Sequence, residues 1–352
     1  MKEGKIKIQV SAKVKKAIHG FVASVLLTSA FIGIHYYNIF KRDNVTKEAV
    51  LLVYSHFTYD SLLNAIEATG ALENFDRFKN ASEKRELHKH FEAGRYILKP
   101  GQSNQQIIRI IANRWQEPMR FTLRSHIRTI DRLSAFLGSN FEADSAQFSQ
   151  ALTNDSLIKS LGFTSQTFIG MFIPNTYELY WTASPESVIK RMHQEYKAFW
   201  NESRIAKGKN MGMSKNEIMT LASIVNEETN NIGEMPKIAG VYINRLKKGM
   251  PLQACPTVIY AHLDSEPGIK RVLKRHLKID SPYNTYKNKG LPPGPITIPT
   301  IKAIDAVLNY EKSNYIYFCA KPEFDGTHNF ASTYSQHQKN AKAYQKALSA
   351  KK

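Results

Sequence analysis

The segment Ser214–Thr229, SKNEIMTLASIVNEET, ends a helical pattern with two adjacent acids. Ser214 and Glu217 stand at capping-box spacing, which fixes where the helix starts. Ile218, Leu221, Ala222 and Val225 form one apolar stripe. With Ile218 at zero and about 100° per residue, Glu228 falls at about −80°, beside that stripe, and Glu227 at about 180°, on the opposite face. The pattern therefore predicts a solvated, ordinary Glu227 and a Glu228 drawn against an apolar wall in the last turn. Apolar burial raises a carboxyl pKa, and a helix C-terminus disfavours negative charge. Both keep Glu228 protonated near neutral pH, the state a general acid needs. The same spacing also fits a half-exposed acid paired with a Lys at a fraying helix end.

A second helix follows, with Pro236 in its first turn and Ile238, Val241, Tyr242 and Leu246 as its stripe. Gly249 and Pro251 end it. Beyond lie LQACPTVIY (252–260), YNTY (283–286), GLPPGPI (290–296) and GTHNF (326–330). Loops this dense in Pro and Gly are rigid and either line sites or only connect elements. His328, after a turn, fits a structural role as readily as a functional one.

These segments need elements to hold them. Val50–Tyr54 reads as a strand. A helix from Tyr59 carries Leu62, Leu63, Ile66 and Ala68 and stops at Gly70. Further helical character runs through 83–92. Arg95–Leu98 reads as a strand, Pro100-Gly101 as a turn, and Ser103 as the cap of a helix bearing Ile107, Ile108, Ile110 and Ile111. Met119–Leu123 is a further strand, so a small α+β unit is expected to end near 123. Residues 125–205 are mostly helical, interrupted at 168–181. Residues 214–350 hold the two helices above, a long Pro/Gly-rich region, a strand over 315–320 and a solvated helix in the Lys-rich end, 339–352.

The N-terminus is read from charge and hydropathy. Residues 1–16 carry six Lys and one acid, Glu3, and Ala17 to Phe40 contains no Asp, Glu, Lys or Arg. That run suits a membrane-spanning helix, with Tyr36 and Tyr37 in the far interface and the Lys-rich end cytoplasmic. A signal peptide cut after Thr28-Ser29-Ala30 is the competing reading, disfavoured because the apolar run continues to Phe40. Either reading puts the remainder outside the cytoplasm. The formal charge of +19 calls for an acidic partner: anionic lipid or a cell-envelope polymer, not nucleic acid, since no recognition motif for it is present. Cys255 and Cys319 form no metal-ligand spacing, and whether they pair is open. No metal or cofactor is expected.

LASIVNEET, PKIAGVYINRLKKGMPLQ, PTVIY, YNTY, GLPPGPI, YIYFCAK and GTHNF, in this order and spacing, resemble the endolytic murein transglycosylase (MltG, or YceG-like) family. The likeness is dense over 214–340, and upstream FIPNTYE resembles the family's PDTYE segment. The resemblance implies an α+β chain with a cytoplasmic tail (1–16), a transmembrane helix (17–40), a small LysM-like subdomain (44–123) and a larger mixed α+β catalytic domain (124–352). It implies lytic cleavage of the β-1,4 bond between N-acetylmuramic acid and N-acetylglucosamine in peptidoglycan glycan strands, linked to cell wall assembly at the inner membrane. Peptidoglycan synthases or division machinery are the protein partners it suggests. The family's catalytic Glu is the second acid of E-x-E-T after SIV, which is Glu228 here. Gln253, Asn284, Tyr286 and His328 are the candidate sugar contacts. Three family acids are replaced, by Asn226, Asn175 and Cys255. The rival readings are a hydrolytic muramidase and a non-catalytic peptidoglycan-binding scaffold. A pyridoxal-phosphate lyase is set aside, because no phosphate cup is present.

Overall fold

The computed structural model describes residues 11–350. The rest of the expected cytoplasmic tail (1–10) and the last two Lys of the C-terminal segment lie outside the described residues. The chain forms two compact units, one of residues up to 119 with 180–182, the other of 120–179 and 183 onward.

In the first unit, Ser11 caps α1 (Ala12–Tyr36), whose helical run continues through a π-helical turn to Lys41. Within this stretch of 30 residues an 18-residue window reaches mean hydropathy 1.9, long and apolar enough to cross a bilayer. Tyr36 and Tyr37 are exposed, but the last residues of the expected span, 17–40, pack against protein. Ile39 and Phe40 are buried in the unit's core, Arg85 lies over the Phe40 ring at 4.9 Å, and its Nη2 donates to the Tyr36 hydroxyl at 3.0 Å. After it come β1 (Ala49–Val53), α2 (Tyr59–Ala68), α3 (Phe75–Lys84), β2 (Gly94–Leu98) and α4 (Asn104–Ala112). β1 and β2 are antiparallel, with Leu51 opposite Tyr96. Leu51, Val53, Tyr96 and Leu98 alternate into the core beside Leu62, Ile66, Phe78 and Ile107, as period-two strands over amphipathic helices require.

Two expectations fail here. The helix expected over 83–92 lies earlier, because Asn74 caps a turn in which Phe78 and Ala81 provide the buried stripe. Glu86 then takes a left-handed φ of 51° and separates α3 from a short 3-10 turn, Leu87–Lys89, so only part of the expected stretch is helical. The strand expected to close this unit, β3 (Met119–Thr122), instead pairs with β4 (Thr176–Leu179), an element not foreseen.

In the second unit, α5 (Ile130–Gly138), α6 (Ser145–Leu152) and α7 (Asp155–Ser160) precede β4, and α8 (Pro185–Phe199) and α9 (Glu202–Met211) follow it. The central element is α10 (Lys215–Glu228), with the capping box of Ser214 and Glu217 formed. Every residue of it from Ile218 to Asn226 is buried. α11 (Met235–Lys247), α12 (Cys255–Ala261), α13 (Ile301–Leu308) and α9 pack around it. The GLPPGPI loop crosses it, and the Ile296 amide donates to Ser223 Oγ at 3.0 Å. α13 was hidden inside the Pro/Gly-rich stretch; Thr300 caps it. A hairpin of β5 (Tyr317–Ala320) and β6 (His328–Ala331) carries α14 (Tyr334–Ala350), which starts five residues before the expected Lys339.

α11 passes so close to the chain at Glu311 that a Cβ on Gly240 would lie 2.3 Å from the Glu311 carbonyl oxygen. Gly240→Ala would gain about 1 kcal/mol of helix propensity, but overpacking against rigid backbone costs about 1–3 kcal/mol. The overlap is severe enough for the clash to win. The variant is expected to melt several degrees lower by differential scanning calorimetry, and an unchanged or raised Tm would show that the contact relaxes freely.

Candidate active site

Glu228 ends α10, and Thr229 leaves the helix in an extended conformation. The side chain meets α11, where Tyr242 donates its hydroxyl to Glu228 Oε1 at 2.6 Å. Arg245 lies one turn further along α11 and is buried. It donates from Nε to the Ile316 carbonyl at 2.7 Å and from Nη1 to the Leu252 carbonyl at 2.7 Å. One guanidinium thus ties α11 to β5's approach and to the LQACPT loop, as its forked donors allow.

Burial pushes the Glu228 carboxyl up to about 7; the Tyr242 hydrogen bond and the Arg245 charge pull down, and Glu227 adds a smaller push upward. Desolvation therefore outweighs two stabilising partners. The Tyr242 hydroxyl is raised far beyond the ordinary phenol range, by burial and by the carboxylate it faces. It remains a donor, so Glu228 Oε2 is the oxygen left to carry a proton.

The raised pKa has a consequence for stability. The folded state holds the Glu228 proton over a pH range, from about 4.5 to about 7, in which an unfolded chain has released it. Its contribution is full below that window and is lost as pH rises through it. Gln has no such loss. Glu228→Gln should therefore gain on the unmodified protein as pH rises from 4.5 to 7, by on the order of 3 kcal/mol at most. Paired thermal melts across pH check this, and a constant difference would contradict a raised pKa.

The expectation for Glu227 fails. Its side chain is only 7% exposed and pairs with Arg128 and with His126 Nδ1, the latter at 2.9 Å. The helical wheel assumed one solvated face, and α10 has none along its middle. Asn226 is buried as well. Its Oδ1 accepts from the Thr300 amide at 3.1 Å and hydroxyl at 2.8 Å, fastening the start of α13.

Glu228 borders two cavities. One, of about 350 Å³, is lined by Tyr242, Arg245, Gln253, Cys255, Tyr286 and His337 among others. The other, of about 490 Å³, is lined by Asn230, Asn231, Lys321, Asp325, His328 and Tyr344 among others. Of the four candidate contacts, Gln253 and Tyr286 therefore meet Glu228 in the first cavity and His328 in the second. Asn284 is brought to neither. It is fully buried and its amide donates to the carbonyls of Leu277 and Ile279, both at 2.9 Å. Its Oδ1 accepts from the Tyr286 amide at 3.1 Å, so it shapes the loop that carries Tyr286. Thr285 links that loop to the other by accepting from the Gln253 amide at its carbonyl and from the Ala254 amide at its hydroxyl, both at 3.0 Å. Gln253 sits at a left-handed φ of 54°. Cys255 and Cys319 are free thiols, and Cys255 Sγ lies 3.2 Å from the Tyr286 hydroxyl.

Several residues were missed. Tyr242 reads in sequence as one more member of an apolar stripe. Glu234 gives no sequence signal, yet it accepts from the His328 amide at 3.0 Å and approaches His328 Nδ1 at 2.9 Å, fixing the imidazole in its cavity. Among the described residues no cluster of side chains suits a metal ion.

Comparison with known proteins places this arrangement. The chain is 38% identical over 202 residues to a Bacillus subtilis (strain 168) protein named endolytic murein transglycosylase, covering 56% of this chain and 53% of that one. It is 33% identical over 177 residues to a protein of the same name from Streptococcus pneumoniae (strain D39), covering 49% of this chain and 31% of that one. The chain thus spans about half or less of the length of these curated relatives. The crystal structure of a yceG-like protein from Listeria monocytogenes superposes with a TM-score of 0.55 at 25% identity, covering 84% of this chain and 99% of that one. The model of the YceG-like family matches residues 51–343, and the chain belongs to that family.

Proposed function

We propose that the chain cleaves the β-1,4 bond between N-acetylmuramic acid and N-acetylglucosamine in peptidoglycan glycan strands, by a lytic route with Glu228 as acid and then base. The observation that carries this reading is one partly buried carboxyl, its pKa raised to about 7 by desolvation, bordering two cavities of sugar size. The relatives named endolytic murein transglycosylase support it.

Glu228 Oε2 donates its proton to the glycosidic oxygen as the bond to muramic C1 breaks. The carboxylate then takes the proton of the C6 hydroxyl while O6 attacks C1, leaving a 1,6-anhydro end. The nucleophile belongs to the substrate, so proximity replaces a bound water and no second carboxylate is required. Gln253, Tyr286 and His328 orient the sugars on either side of the bond, and Asn284 acts through the Tyr286 loop. Incubation with purified glycan strands tests the reading: the strands should shorten, and strands left intact would refute it.

One observation favours a hydrolytic muramidase instead. Hydrolysis needs a second carboxylate, and Asp325 lines the larger cavity. Its carboxylate, however, accepts from the Thr327 amide at 2.8 Å and hydroxyl at 2.5 Å, and these bonds hold its pKa low. Asp325→Asn is expected to keep at least about half of the cleavage rate, measured on glycan strands. A loss as deep as that of Glu228→Gln would make Asp325 a catalytic base.

We read α1 as a single-pass anchor in the cytoplasmic membrane, with the Lys-rich N-terminal end in the cytoplasm and the chain after α1 outside it. The first unit, with its paired β1 and β2, is the LysM-like part and holds the strand, and the large unit is the catalytic domain. Synthases or division machinery are the expected neighbours. The basic charge suits such a polymer and such a surface.

A further inference from the structure

The larger Glu228 cavity has further cavities beside it. Asn230 borders both it and a further cavity of about 420 Å³, lined also by His126, Asn226, Ile232, Thr300 and Lys302. His126 and Pro174 in turn border both that cavity and an open one of about 540 Å³ that runs past Arg124 and Asn175. The cavities share lining residues in sequence, so they lie side by side in a row leading away from Glu228.

The lining of that row has a consistent chemistry. Asn230 offers an exposed amide and Ile232 is 50% exposed, a combination that suits a sugar ring with apolar faces and polar edges, while Asn226 and Thr300 are paired with each other and shape the wall behind them. No Asp or Glu lines either further cavity, whereas Arg124, His126 and Lys302 do. Glu227, which contacts the lining residue His126, is paired with it and with Arg128. The wall is also rigid: the His126 backbone holds a left-handed φ of 64° and its amide donates to the Ile298 carbonyl at 3.0 Å. Asn226 and Asn175 line these two cavities as neutral side chains, and an acid introduced at the exposed Asn175 would oppose an anionic occupant.

We propose that this row of cavities is an extended binding track for glycan that still bears stem peptides, with Lys302 and Arg124 meeting the peptide carboxylates. The proposal rests on the glycan-cleaving reading above and adds where the strand lies and which form of it is preferred. Lys302 and Asn175 are exposed and stand apart from the Glu228 machinery.

The test measures binding without turnover, so that it stands or falls separately from the activity. Full-length Glu228→Gln protein in detergent is compared with the same protein carrying Lys302→Glu, or separately Asn175→Asp. Each is titrated with two probes: glycan strands with intact stem peptides, and strands stripped of peptide by an amidase. For peptide-bearing strands each added change should weaken Kd about fivefold at low salt, less at high salt, as expected for exposed charges. Stripped strands should bind all three proteins alike. Equal Kd for all proteins on peptide-bearing strands, or equal losses on both probes, would overturn the proposal. If binding follows the expected pattern while unmodified protein cleaves nothing, the catalytic reading fails and the track stands.

Discussion

Glu228→Gln is expected to lower the rate of glycan cleavage at least about a thousandfold while leaving the fold intact. A positioned general acid contributes about 10²–10⁴ in rate, and here the same carboxyl serves both proton transfers. Gln keeps the shape and can still accept the Tyr242 hydrogen bond at its carbonyl oxygen, but it can neither donate an acidic proton nor take one back. The rate is measured as strand shortening, beside a thermal melt that reports the fold. Retention of more than about a tenth of the rate in a folded variant would remove Glu228 from the chemistry.

Tyr242→Phe is expected to have the next largest effect, with a signature that a merely structural residue would not give. The hydroxyl lies 2.6 Å from Glu228 Oε1 and stabilises the carboxylate. A hydrogen bond to a charged group is worth about 1.5–3 kcal/mol, so its loss should lower kcat about ten- to a hundredfold as Oε1 loses its fixed partner. The sign of the pH effect is set by the same bond. Without it the Glu228 pKa rises, the acid stays protonated to higher pH, and the alkaline limb of the kcat profile moves up. A drop in kcat with an unmoved limb would mean that Tyr242 only packs.

Much of this was legible in the chain, for identifiable reasons. The capping box at Ser214 and the stripe on α10 are local, so the helix and its buried stripe follow from spacing. Glu227 was misread because periodicity cannot tell a helix with one buried side from one enclosed by α9, α11, α12 and α13. The enclosing element α13 was itself hidden among Pro and Gly. Tyr242 could not be separated from its stripe, since its hydroxyl matters only once α11 is laid against α10. Asn284 was taken for a ligand contact because a polar residue in a rigid loop looks the same whether its amide faces a cavity or, as here, the backbone of Leu277 and Ile279. The partner of β3 lies more than fifty residues along the chain, a distance at which strand pairing leaves no mark in local pattern.

The lytic route is the central claim, and the structure of the new chain end tests it most directly. Purified glycan strands are digested with the unmodified protein and with Glu228→Gln, and the products are identified by mass spectrometry. The account predicts 1,6-anhydro-muramic ends from the unmodified protein and none above background from the variant. Ends that instead carry the elements of one water, as reducing muramic acid, would contradict it and make the protein a hydrolase.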